Sequence, residues 1–233
     1  VSKKHPKRVK PLAISPPELP DETTAESTFD GRLEAQEHYT DLVLSNKTLA
    51  SQTASRVTIQ RARFQDLDLA GATLKFLRLT DTRFDHCDLA NLDCSQSALD
   101  RVEFVDCRMT GIKFIDSQIK NVSFQDCKID LAQFRASGLK DCRFLNCNLC
   151  EADFYEANLG GVVFSGCDLR GVQMYGANLE GSDFRGSQLE GLQARAEDLQ
   201  GAIIDSLQLL DLTHDLARLI GLKVLEPDAA ENP

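Results

Sequence analysis

Eight cysteines and four histidines hold the metal and redox chemistry that this sequence can offer. Cys87, Cys107, Cys127, Cys147 and Cys167 recur every 20 residues. So many thiols suggest a zinc cluster or a disulfide set. The even spacing argues against both. Stacked residues stay a full layer apart, whereas a disulfide wants Cβ atoms about 3.8 Å apart and zinc wants ligands converging tetrahedrally. The spacing therefore reads as a ladder of buried free thiols, each a small apolar residue, with Cys142 inward on another face and Cys150 outward. His86 shares its spacing with Asp66 and Asp106. Such an Asp–His–Asp column suits acid–base or metal chemistry, but a hydrogen-bond ladder is the plainer reading. His5, His38 and His214 stand apart from it. No phosphate loop, dinucleotide glycine pattern, HExxH or serine elbow occurs, so no catalytic residue, cofactor or metal is expected.

A different chemistry belongs to Ile115, Arg135, Tyr155, Tyr175 and Arg195, again 20 apart. Tyrosine flanked by arginine is the composition of protein interfaces. The competing reading is that stacked surface aromatics only stabilise neighbouring layers, as cross-strand pairs do.

These residues need elements that repeat in register. From Ile59 to Ile204 every fifth residue, thirty in all, is apolar. With 42% of the chain in the apolar set, chance would give this on the order of 10⁻¹¹ of the time. The residue two places earlier is small or apolar too, as at Val57, Ala62 and Leu67. Thr82, Ser97, Ser117, Ser137, Ser182 and Ser187 substitute hydroxyls, and Glu197 is the serious violation. Two side chains per five point inward and three outward. A 20-residue superperiod is visible in Phe64, Phe84, Phe104, Phe124, Phe144, Phe164 and Phe184. Glycine closes many later units, at 161, 166, 171, 176, 181, 186, 191 and 201, where a turn needs φ > 0. Earlier units carry Asp, Asn or His there, which predicts less regular corners in that half.

Ala157-Asn158-Leu159-Gly160-Gly161 and Ala177-Asn178-Leu179-Glu180-Gly181 are literal matches to A-(D/N)-L-x-x, and Cys167-Asp168-Leu169-Arg170-Gly171 and Ala152-Asp153-Phe154-Tyr155-Glu156 come close. Over about residues 57–205 the chain resembles the pentapeptide-repeat family. The resemblance implies an all-β solenoid: a right-handed quadrilateral β-helix with four pentapeptides per 20-residue coil. The register gives about eight coils, a rod roughly 40 Å long at ~4.8 Å per coil.

Residues 1–30 hold most of the prolines and read as a flexible arm; 31–56 read as a cap and irregular first coil. Ser206 is a candidate helix cap, and a C-terminal helix over 206–225 presents Leu209, Leu212, Leu216 and Leu219 with Ile220 alongside. That stripe is expected to close the last coil and is also placed to meet a second copy; 226–233 is a tail. The helix ending in Ala217-Arg218-Leu219-Ile220-Gly221-Leu222-Lys223-Val224 is similar to that of the Qnr-like and MfpA-like quinolone-resistance branch. That similarity implies a homodimer that imitates DNA and binds gyrase or another topoisomerase. The unbroken register is closer to the loop-free MfpA-like pattern.

Charge bears on that implication. The net charge of −10 and pI of about 4.9 exclude a general nucleic-acid binder. No apolar run approaches the ~20 residues of a membrane span. The proline-rich start lacks a secretory core, and the cysteines suit a reducing compartment, so a cytoplasmic protein is expected. The two most acidic adjacent faces include Asp66, Asp85, Asp106, Asp126, Asp68 and Asp88. Together those faces hold thirteen acids against seven bases, where a 40 Å length of duplex shows roughly 20 negative charges. Asp88 with Arg108 and Arg83 with Glu103 are expected to pair between coils. The composition therefore points first to a non-enzymatic protein-binding scaffold of unknown partner, and second to topoisomerase protection.

Overall fold

The computed structural model describes residues 14–21, 29–213, 216–217 and 221–223. Its strands are β1 (His38–Ser45), β2 (Thr58–Gln65), β3 (Arg78–Asp85), β4 (Ala98–Val105), β5 (Gln118–Gln125), β6 (Gly138–Lys140), β7 (Arg143–Leu145) and β8 (Val163–Ser165), followed by one short helix, α1 (Ser206–Asp211). Every pairing is parallel and offset by 20 residues, from His38 on Thr58 to Phe144 on Phe164. The path β1-β2-β3-β4-β5-β7-β8 makes a parallel solenoid of about six turns. Beyond β8 the same offset continues through isolated bridges, Val163 to Asp183 and Asp183 to Ile203. Glycine-rich units there leave little side chain to sustain a strand.

Parallel coils that advance by one strand spacing put identical positions directly above one another. The phenylalanines obey this: Phe104, Phe124, Phe144 and Phe164 stack with centroids 4.5–5.1 Å apart and ring planes within 3–4°. A second column, Phe114, Phe134 and Phe154, meets the first edge-on, as in Phe124–Phe134 at 6.4 Å and 87°. Offset-stacked and edge contacts are the two arrangements that ring quadrupoles favour. Inward hydroxyls are paired, not stranded. Ser97 Oγ accepts from the Leu77 amide at 3.0 Å, and Ser182 Oγ donates to the Leu159 carbonyl at 2.7 Å. Among the described residues no buried side-chain N or O lacks a partner.

The corners of the earlier coils are as regular as the later ones, contrary to the sequence expectation. Asp66, His86, Asp106 and Asp126 hold φ of 50–53° without glycine. Asp, Asn and His tolerate the left-handed region better than other side chains. β2 to β5 each wrap a corner of this kind: Arg61, Asp81, Arg101 and Asn121 have φ of 52–57°, and the strand pairing steps over them.

The ends depart further from the sequence reading. Pairing is regular from His38, and Leu42 and Leu44 are buried, so the expected irregular first coil is ordered over its second half. Residues 14–21, inside the expected arm, lie against the solenoid. The Glu18 amide donates to Asp81 Oδ1 at 3.0 Å, Arg63 Nε donates to the Pro20 carbonyl at 2.8 Å, and Pro20 is buried. At the far end Glu197 is exposed and the chain turns locally, with buried Asp198 accepting from Arg195. The local turn keeps the Glu197 carboxylate in solvent, where an inward one would need a partner, and the 20-residue offset resumes at Ile203.

The helix is capped by Asp205, not Ser206. Asp205 accepts from the Leu207 and Gln208 amides, and Gln208 returns a bond to the Asp205 amide. Leu212 is buried, but Leu209 is 51% exposed and does not close the coil. Gln208, one residue earlier and four before Leu212, faces the core instead. Leu216 is half-buried; Leu219, Ile220 and the tail lie outside the described residues. Between the last coil and the residues that follow α1 a cavity of about 190 Å³ is lined by Phe184, Leu192, Leu199, Leu212 and Leu216. Among the described residues no helix is long and apolar enough to cross a membrane.

Candidate interaction surface

Each outward column is positioned by the ladder beneath it. Backbone bonds such as Ala136 N to Tyr155 O and Glu156 N to Tyr175 O, both 2.9 Å, fix one layer on the next. On this frame Tyr155 and Tyr175 are 43% and 39% exposed, among the few large hydrophobic side chains that face solvent. Arg135 sits with its guanidinium 5.6 Å from the Tyr155 ring centre while bonding Asp153 at 2.6 Å. One charge thus serves a ring and a carboxylate. Arg195 is paired with Asp198 and Glu197. Ile115 is half-buried at the start of the column. The carboxylate of Glu156 pushes the Tyr155 phenol above its ordinary range, so the ring is a neutral donor at physiological pH.

A second exposed aromatic escaped the sequence reading. Phe76 is 36% exposed under the Arg56 guanidinium at 4.9 Å. It borders a surface cleft of about 310 Å³ with Arg78, Gln96, Asp116 and Gln118 on its rim. The signal was present: Phe76 stands at an outward corner position that elsewhere mostly holds Gly or a polar residue, and its φ is 59°. The floor follows from the column Arg78, Ala98, Gln118, in which a short side chain separates two long ones.

The acidic columns are largely neutralised from within. Arg83 bonds Glu103 at 2.9 Å and Arg108 bonds Asp88 at 2.7 Å, as the 20-residue register predicts, and Arg83 also bonds Asp85 in its own coil at 2.7 Å. Asp68 accepts from the Ala70 amide in its own turn. Asp66, Asp106 and Asp126 remain exposed on one corner, with His86 Nε2 3.7 Å from Asp106 and Asn146 donating to Asp126.

The thiol column is buried and unbridged. Each Sγ lies 3.2–3.6 Å from the carbonyl two residues before it, as in Cys107 to Val105 and Cys127 to Gln125. Burial pushes Cys142 up to about 12 and Cys94 higher still. Along the stacked column the thiols bond one another, which raises Cys107 and Cys147 and lowers Cys87, Cys127 and Cys167. Cys150, half-buried, is raised by desolvation and by Asp168. A nucleophilic thiolate needs solvent access beside a cation, whereas the thiols of this column are buried against one another.

Comparison with known proteins decides the family. The pattern described as Pentapeptide repeat region matches residues 57–134, 117–194 and 137–212. The chain belongs to the pentapeptide repeat family. No curated protein matches the sequence. Solved structures similar to this pentapeptide repeat protein include trypsin-treated QnrB1, a plasmid-mediated fluoroquinolone resistance protein. It is 22% identical, with 81% of this chain and 100% of that chain covered and a TM-score of 0.38. HetL, involved in heterocyst differentiation regulation in the cyanobacterium Nostoc sp. strain PCC 7120, is 16% identical with 75% and 91% covered and a TM-score of 0.28.

Proposed function

We propose that this pentapeptide repeat protein is a non-enzymatic scaffold that binds another protein along one face of a right-handed, four-sided rod of about eight coils. The observation that carries the reading is the exposed Tyr155–Tyr175 column with Arg135 beside it, held on layers that cannot rearrange independently. Rigid aromatics lose little entropy on binding, and arginine supplies polar anchoring. Photo-crosslinking from position 175 in the source cells identifies the partner. Tyr155→Ala with Tyr175→Ala then weakens its binding by more than about tenfold, the loss expected of a hot spot. Unchanged affinity in the double variant would sink the reading.

A second reading is favoured by the exposed corner of Asp66, Asp106 and Asp126. In it the rod pairs with a second copy through α1, where Leu207, Leu209 and Leu210 are exposed. The pair then presents acid to the DNA-binding surface of gyrase or a related topoisomerase. The pairing of Arg83, Arg108 and Arg170 with neighbouring acids weighs against it, because a DNA mimic needs its negative charge uncompensated.

A further inference from the structure

We propose that the columns bearing Arg63 and Asp81 form a docking seat for an extended, proline-containing peptide segment of a partner, and that residues 14–21 occupy this seat as a built-in competitor. The seat is a constructed one. Asp81 is only 3% exposed, and Arg101 holds its carboxylate through two bonds of 2.6 and 2.7 Å. That leaves Oδ1 aimed at the Glu18 amide. Arg101 is itself fixed by Asp100, whose other oxygen accepts from Asn121. Three coils therefore cooperate to place one acceptor.

What the seat reads is backbone and shape. Asp81 takes an amide proton, Arg63 gives one to the carbonyl two residues on, and the Pro20 ring is buried between these contacts. The Glu18 carboxylate also acts on the Arg101 charge, so an acidic residue two before the buried proline suits the seat as well. Ser15-Pro16-Pro17-Glu18-Leu19-Pro20 carries three prolines in six residues. Such segments favour the extended left-handed helix, whose backbone groups stay unpaired and whose ordering cost is low. The docked segment adds no strand to the ladder. Because the segment lies outside the ladder, its release is a local opening that leaves the coils intact, and a partner segment can then replace it. The seat shares no residue with the Tyr155–Tyr175 column, so each is lost without the other.

The test uses the full-length chain and a fluorescent peptide with the sequence of residues 14–21. Glu18→Pro removes the donated proton from the resident segment and leaves the solenoid untouched. That chain is expected to bind the free peptide at least about tenfold more tightly than the wild type, whose tethered segment competes at an effective concentration in the millimolar range. The peptide carrying Glu18→Pro should not bind, and adding Arg63→Ala to the Glu18→Pro chain should remove binding of the normal peptide. Equal affinity of both chains, no binding by the Glu18→Pro chain, or equal binding of the two peptides would each overturn the proposal.

Discussion

Asp81 shows how far one side chain can be read from its neighbours. Its partner Arg101 stands 20 residues on, as Arg61 stands 20 from Asp41, and such pairs follow from the register alone. The third bond, from Glu18, was illegible. Prolines have no period, and two side-chain-to-backbone bonds leave no trace in composition. The hydrogen bonds from Arg101 hold the Asp81 carboxyl below its ordinary value of 3.8. A depressed folded pKa means the network stabilises fully above the unfolded value and fades as pH falls through the lower one. Hydrogen exchange of the Glu18 amide should therefore be steady from pH 7 to 5, after correction for intrinsic rates, and lose protection below about pH 4. Undiminished protection at pH 2 would contradict the assigned partner. The thiols teach the complementary lesson: their types invite chemistry, and only their register showed that they are packing.

The strands, corners and terminal helix differ in how openly they declare themselves. A five-residue rhythm announces every inward position, and the corner residues were found where the turn requires them. Their regularity was underestimated, because aspartate and asparagine enter the left-handed region without the glycine that makes it obvious. The helix was located, yet its phase was taken from leucines, and a buried amide is invisible to an apolar pattern. Gln208 donates to the carbonyls of Phe184 and Ser187 at 2.5 and 2.7 Å while completing the cap at Asp205. Gln208→Ala would strand those carbonyls and cost about 1–3 kcal/mol. A thermal midpoint unchanged from the wild type would show that α1 is not anchored this way. Because the helix closes a half-empty end, its loss should expose the cavity at Phe184 and raise binding of a hydrophobic dye, with the β1–β5 amides still protected.

Across the whole molecule, charge and shape follow from stacking one coil on another. Acids meet bases within a layer, as at Asp168 and Arg170, and between layers, as at Asp88 and Arg108, so a chain of net charge −10 presents less bare negative surface than its composition suggests. Gyrase supercoiling, with or without a quinolone, should accordingly be unchanged by micromolar protein; inhibition or protection would raise the topoisomerase reading above the scaffold reading. The fold was legible because periodicity constrains every residue at once, whereas the partner was not, because outward positions are free to vary without cost to the core. The same stacking has a mechanical corollary. The bonds of each ladder, such as Phe134 N to Asp153 O at 2.7 Å, lie along the axis of the rod. Tension applied from end to end falls on one layer at a time, as in a zip pulled open, and each layer that yields releases about 70 Å of slack chain.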